Sequence, residues 1–349
     1  MKLFLIAALT ATLALAQPGG GKGKGKGGPG GPPPAPVPSI PCDRACLLEI
    51  ADQYFAALVA HDPSKVSFAT NAKFVENSAK LKPGEGLWTT ASAAPSAFKI
   101  LVPDPVSGQV GFIVVLKEKP APGTVPAAPP AGAAKGKGPA APALDANGNR
   151  DVLLGGRLKI VNKQITEAEH LRVVANNPNL VTPRPKLLAE VPAAQRNDRE
   201  TLLAAGRAYY DALDNSMGSL APFADDCERH ENGMNTTANA KCGPQLNTHT
   251  FDYIDTINNR RVEIADPVTG LVIGFSHFRH PMDRKTFRVY DTDGKPRNNP
   301  DGTPMMRDMT TTNPFDLPAA HIYKVTGGQI HEIEAVGFSL PLNSKTGWE

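Results

Sequence analysis

Apolar residues recur at the i, i+3, i+4 and i+7 spacing of an amphipathic helix in two stretches, Leu47 to Leu58 and Leu202 to Leu213. Asp43 precedes the first stretch, and Asn197 or Asp198 the second, where a side-chain oxygen can cap the first turn. After each helix the pattern shortens. A brief second helical segment leads to Phe68 or Phe223, and a strand follows around Glu76 or Glu231. Asp104-Pro105-Val106-Ser107-Gly108 then joins β-rich runs at 99–102 and 111–116. Asp266-Pro267-Val268-Thr269-Gly270 does the same for 261–264 and 271–278, so each half carries a hairpin with a longer loop. A last hairpin turns at Asn162-Lys163 in the first half and at Gly327-Gly328 in the second.

The halves therefore read alike. Tyr54-Phe55-Ala56-Ala57-Leu58 matches Tyr209-Tyr210-Asp211-Ala212-Leu213, and Glu76-Asn77 matches Glu231-Asn232. Gln164-Ile165-Thr166-Glu167 matches Gln329-Ile330-His331-Glu332. Matches in one order, at an offset of about 155 to 165 residues, mark a duplicated domain; solenoid repeats have periods of about 20 to 50 residues. The predicted organisation is one domain at 42–175, a linker at 176–196 and a second domain at 197–349. Within each, helices followed by antiparallel strands give an α+β cone, a curved antiparallel sheet wrapping the helices and leaving a pocket between them.

The chain begins with Lys2, an apolar run from Leu3 to Leu15, and small residues at Ala14 and Ala16. That is the layout of a secretory signal peptide over residues 1–16, cut before Gln17. The run is shorter than the roughly 20 residues that span a bilayer, so no membrane anchor is expected and the protein is read as secreted and extracellular. Residues 17–41 are nearly all Gly, Pro, Lys and Ala, and a similar stretch is inserted at about 119–147. Both bury too little to repay the entropy of ordering and are expected to be disordered. The formal charge of +3 rests on lysines at the N-terminus and in this insertion; the folded part is mildly acidic. With no recognition motif and no basic stripe, a nucleic-acid partner is not expected. Four cysteines in an exported chain point to disulfides. Pairing by proximity gives Cys42–Cys46 and Cys227–Cys242, with two other connectivities open, because cysteines four apart in a regular helix do not readily meet disulfide geometry. Asn235-Thr236-Thr237 is a glycosylation sequon between the second pair.

The Phe-Ala and Glu-Asn positions, the Asp-Pro-Val-x-Gly hairpin and the closing Lys324-Val325-Thr326-Gly327-Gly328-Gln329-Ile330 hairpin resemble the NTF2-like superfamily. That superfamily includes ketosteroid isomerases, scytalone dehydratases and polyketide cyclases of the SnoaL type. The tandem arrangement looks most like a group of exported, mostly fungal proteins built from such domains. The resemblance implies cone domains, a small-molecule ligand and an intramolecular pseudo-dimer of the two modules. It also implies cofactor-free isomerase, dehydratase or cyclase chemistry on a polyketide-like or other carbonyl substrate.

Candidate chemistry falls in the second half, which holds His230, His277, His280, His321 and His331 among the chain's eight histidines. Val75 stands opposite His230, and Val115 opposite His277, in the first copy. Strand alternation puts His277 with Arg279 on one face, Phe278 with His280 on the other, and His321 with Tyr323 on one face. A pocket combining His230, His277, His321 and a helix tyrosine, Tyr209 or Tyr210, would supply base, acid and hydroxyl donor for proton abstraction beside a carbonyl. Arg279 reads as a carboxylate clamp or a solvated edge charge. Glu76 and Glu231 recur with their Asn neighbours, as a shared structural feature or as parts of two ligand pockets. Trp88, without a counterpart, packs the core or lines the first pocket. His277 and His280 point oppositely, which argues against a metal site. No nucleophile elbow, P-loop or dinucleotide fingerprint is present, so no cofactor is expected. The competing reading is a non-catalytic apolar-ligand-binding or cell-wall-associated structural protein. Mass spectrometry of the exported protein should give Gln17 as the mature N-terminus; a chain retaining Met1 would overturn the signal-peptide reading.

Overall fold

In the computed structural model the described residues are 40–95, 97–120, 144–237 and 240–349. The signal peptide at 1–16, nearly all of 17–41 and most of the insertion at 119–147 lie outside them. The architecture is α+β, with one helix-and-sheet module in each half of the chain.

The first module opens with α1 (Arg44–Val59), capped by the Asp43 carboxylate, which accepts the Cys46 N–H. Its strands are β1 (Phe68–Glu76), β2 (Ala79–Leu81), β3 (Ala91–Ala93), β4 (Lys99–Asp104), β5 (Gln109–Glu118), β6 (Arg150–Val161) and β7 (Gln164–Val174). After a short helix, α2 (Pro185–Leu188), the second module repeats the plan with α3 (Arg199–Asp214), β8 (Phe223–Glu231) and β9 (Met234–Asn235). A five-residue helix α4 (Cys242–Leu246) follows, then β10 (Thr256–Asp266), β11 (Leu271–His280), the pair β12 (Thr286–Arg288) and β13 (Met306–Asp308), β14 (Phe315–Thr326), β15 (Gln329–Gly337) and β16 (Leu340–Pro341). Of the two caps open for α3, Asp198 is the one used, accepting the Thr201 N–H. The second helical segment in each module is a single three-residue turn, at Pro63–Lys65 and Gly218–Leu220. Asn162 and Lys163 both sit at positive φ, as Gly327 and Gly328 do, the backbone a two-residue hairpin turn requires.

Each sheet differs from the expected purely antiparallel one. β1 lies parallel to β7, and β8 parallel to β15, so both sheets are mixed. Closing the sheet by bringing its first strand beside its last produces that pair, a long-range register that local periodicity does not carry. The cysteines pair as Cys42–Cys46 and Cys227–Cys242. Cys42 precedes the α1 cap and lies outside the regular helix, which lets the Cα atoms approach to 5.2 Å.

Each module has a core between its long helix and the inner face of its sheet. A third core joins the modules. Ile100, Val102, Ile113, Leu153 and Leu171 from the first sheet pack with Ile264, Ile273, Phe275, Ile322 and Val336 from the second. Two reciprocal ion pairs flank this sheet-on-sheet contact. Arg44 at the start of α1 reaches the buried Asp266 of the second module (2.9 Å), and Arg199 at the start of α3 reaches the buried Asp104 of the first (2.9 Å). Both aspartates belong to the repeated Asp-Pro-Val-x-Gly turn and also accept turn N–H groups, at Val106 and Val268. The 176–196 stretch, expected as a plain linker, folds onto the second module: Leu180, Leu187 and Val191 are buried, and Arg184 lies against Glu332.

At Gly155 the two sheets approach closely. A Cβ there would lie 2.2 Å from Val336 Cγ1. Gly155→Ala should therefore destabilise the protein by about 1–3 kcal/mol through overpacking, and adding Val336→Ala should recover part of that loss in chemical denaturation. An unchanged Gly155→Ala midpoint would contradict the close sheet contact.

Candidate functional site

The three histidines expected to share one pocket lie on two faces of the second sheet. His321 on β14 points inward, with the small residues Gly274 and Ala335 as its cross-strand neighbours. Its Nδ1 is 3.3 Å from the Tyr210 hydroxyl, and its ring lies against Tyr209, Tyr323 and Phe278. Burial, with help from Arg229, pushes its pKa down to about 3. His321 is thus neutral near pH 7 and serves as a hydrogen-bond partner rather than an acid there. His277 points the other way, into the contact between modules, with Nε2 3.4 Å from the buried Asp316 carboxylate. His230 also faces outward, beneath Arg184, and burial lowers its pKa to about 4. The expected His230–His277–His321 cup is therefore not assembled. A strand residue of either parity is buried here because both faces of the sheet are covered.

Other expected site residues divide similarly. Tyr209 is inside, its hydroxyl 3.4 Å from Arg229 Nη1, and burial raises its pKa to about 12. Arg229 is fully enclosed: Nη2 donates to Gln245 Oε1 (2.8 Å), Nε to Thr236 Oγ1 (3.0 Å), and Phe251 covers the guanidinium at 4.7 Å. Glu231, half-exposed, pairs with Arg229 at 3.2 Å. Arg279 lies at the rim, donating to Asn343 Oδ1 (2.7 Å), away from His321. His280 faces inward and stacks on Phe315 at 4.0 Å, opposite in direction to His277. Among the described residues no group of three His, Cys, Asp or Glu side chains is arranged to hold a metal.

The first module is not purely apolar. The Glu76 carboxylate accepts His170 Nδ1–H (3.0 Å) and the Leu87 N–H (3.0 Å), leaving His170 Nε2 to accept the Tyr54 hydroxyl (2.9 Å). Trp88 packs edge-on against Tyr54 with ring centres 5.3 Å apart. Glu76 and Trp88 so belong to one buried array that the sequence reading left without its histidine. The available signal was positional: Gly156 faces His170 in the first module, and Ala335 faces His321 in the second. The imidazole has moved to the neighbouring strand.

In the second module, beyond the C-terminal end of α3, lies a groove of about 490 Å³. Phe251, Tyr253, Ile254 and Pro281 form its apolar side, and Asp214, Asp252, Asp255, Asp283, His249 and Arg284 its polar side. Tyr253 stacks on His280 (5.5 Å) and Phe251 covers Arg229, so the groove floor abuts the buried cluster. Asp252 accepts Ser216 Oγ (2.7 Å) and His249 Nδ1–H (3.1 Å). His249 was not singled out from the sequence, because it lies in a non-periodic loop without a counterpart in the first half.

A family model described as a domain of unknown function (DUF8021) matches residues 41–130 and 195–337, more than half of the chain. The chain belongs to this family. No curated protein matches the DUF8021 chain. Among solved structures it is similar to a "putative polyketide cyclase" from Xanthomonas campestris pv. campestris, at 16% identity over 40% of this chain and 92% of that one, TM-score 0.26. It is similar also to AclR, a "putative hydroxylase" from Streptomyces galilaeus, at 14% identity over 40% of this chain and 96% of that one, TM-score 0.25. An NTF2-like protein from Burkholderia thailandensis matches at 11% identity over 39% and 89%, TM-score 0.21. Likenesses this slight support no conclusion about function.

The buried histidines of the DUF8021 chain give its stability a sign in pH. His321, His230 and His280 have folded pKa values of about 3, 4 and 4, below the unfolded value of about 6.5. Between those limits the unfolded chain binds more protons, so stability present above pH 6.5 is lost as pH falls. Removing one such group by His321→Gln should reduce the slope of stability against pH by about 1.4 kcal/mol per pH unit between pH 4 and 6. Equal slopes for the two proteins in urea titrations would contradict the buried neutral imidazole.

Proposed function

We propose that this is a secreted tandem NTF2-like protein that binds a small molecule at the mouth of its second cone. The groove of about 490 Å³ carries this reading, since it has the size of a small-molecule site and combines an aromatic side with a few polar groups. The cone interior favours binding over chemistry at His321. Tyr209, Tyr210, Tyr323 and His321 fill it with one another, and the imidazole is neutral. Isomerase, dehydratase or cyclase chemistry on a carbonyl compound remains the second reading, favoured by the Tyr210–His321 contact alone.

Export is supported by the N-terminal pattern, the two disulfides, and the absence among the described residues of any helix long and apolar enough to cross a membrane. The reciprocal Arg44–Asp266 and Arg199–Asp104 pairs support an intramolecular pseudo-dimer. Asn235 is exposed on β9, with the Thr237 hydroxyl donating to its Oδ1 (2.9 Å), and is proposed as a glycan acceptor.

Ligand screening by NMR on the secreted protein tests the central claim. Neutral amphipathic compounds should shift the resonances of Phe251, Tyr253 and Ile254, and Tyr253→Ala should weaken binding about tenfold or more. Shifts confined to the first module, or none across the library, would refute it.

A further inference from the structure

We infer that His249 is a general base in this groove and activates water for hydrolysis of a neutral ester or lactone. The inference rests on the groove being the ligand site proposed above, and adds a reaction to it. His249 Nδ1–H is 3.1 Å from Asp252 Oδ1 and 3.3 Å from Oδ2, which fixes the tautomer and leaves the lone pair on Nε2. Nε2 has no hydrogen-bond partner among the described residues. The ring is set in place from its other side by Tyr290, with centres 4.4 Å apart. Asp252 is held in turn by the Ser216 hydroxyl and by Arg284 Nη1 (3.2 Å). A base oriented by a carboxylate that is itself oriented is the arrangement general-base catalysis needs.

The surroundings select the chemistry. His249 is one-third exposed and Arg284 more so, so the groove is wet. Wet surroundings suit attack by water and disfavour carbanion formation, which needs an enclosed site. Charge selects the substrate. Asp214 is paired with Arg260, Asp252 with Arg284, and Asp255 with Arg279, whereas Asp283 has no ion pair among the described residues. Arg260 is shared between Asp214 and Asp211, so the groove and its partners keep a net negative charge, which admits a neutral ester and repels the carboxylate released from it.

In the reaction, Nε2 takes a proton from water as its oxygen bonds to the ester carbonyl carbon. The carbonyl pair moves onto oxygen, where Arg284 N–H groups can receive it. The tetrahedral species then expels the alkoxide, which takes the proton from the imidazolium. Acid and alcohol leave, and His249 is neutral again.

The test is acid release from alkyl esters of short-chain acids and from simple lactones, followed by pH-stat, with groove occupancy read from the Tyr253 and Phe251 resonances. His249 has φ of 57°, a conformation that Asn and Gly tolerate, so His249→Asn and His249→Gly suit the backbone. His249→Asn should lower kcat by about 100-fold or more with KM changed less than about threefold. Free imidazole should restore turnover to His249→Gly. An ester that occupies the groove without being hydrolysed, or is hydrolysed equally by both variants, overturns the assignment and leaves the binding reading standing. Absence of any groove response across the panel and the ligand library removes both.

Discussion

The contact between the two sheets is the constraint on which the remaining structure depends. Each sheet uses its inner face against its own helix and its outer face against the other sheet, so its central strands are covered on both sides. The reciprocal arginine–aspartate pairs set the register of that contact. Each links a helix N-terminus in one module to the Asp-Pro-Val-x-Gly turn of the other. Their aspartates are nearly inaccessible and hold their own turn N–H groups as well. Moving one module would strand a buried carboxylate and open the apolar layer together, which makes the two-module arrangement cooperative. The C-terminal segment adds a further tie: Trp348 lies over Arg157 of the first module at 5.0 Å.

Within that shared frame the modules have diverged at equivalent positions. Phe74 in the first is Arg229 in the second, Phe112 is Gly274, and Leu158 is Tyr323. The space that Gly274 leaves is taken by Tyr210, whose hydroxyl lies 3.0 Å from where a Cβ would be. The pair Glu169 and Glu334 shows how partners decide charge. Burial pushes both carboxyls up. The Arg261 and Arg157 guanidiniums reverse this for Glu169 and hold it below the usual range, whereas Glu334, with Arg184 at 3.5 Å, stays raised to about 8. One module thus carries a satisfied Tyr54–His170–Glu76 chain, and the other a tyrosine-and-arginine interior closed off from water.

The second module departs further through segments that the first lacks among its described residues. α4 and the loop after it bring Phe251 and Tyr253 over one end of the module, and Phe287 of β12 packs there with the flanking Met282 and Met309. Together they seal the interior and create the groove above it. The titratable side chains of the groove, His249 and Asp252, lie in the segment after α4, while His230, His277, His280 and His321 on the strands are enclosed.

Much of this architecture was legible along the chain. The likeness of the two halves, both long helices, the hairpins, the Asp43 cap and the shared face of His321 and Tyr323 follow from local periodicity and turn chemistry, which act over a few residues. Other features depend on contacts between residues far apart. The parallel β1–β7 and β8–β15 pairs close each sheet only in three dimensions. Alternation correctly separated His277 from His280, yet outward-facing His277 and His230 are buried because a second sheet or the 176–196 stretch covers them. His170 escaped notice because its partners Tyr54 and Glu76 are 116 and 94 residues away. His249 escaped because no repeat or period marks a loop residue. The sequence by itself determined which segments become helix or strand and which faces are apolar. Tertiary structure decided what covers each face, and therefore that His230, His280 and His321 are buried neutral groups whereas His249 meets water.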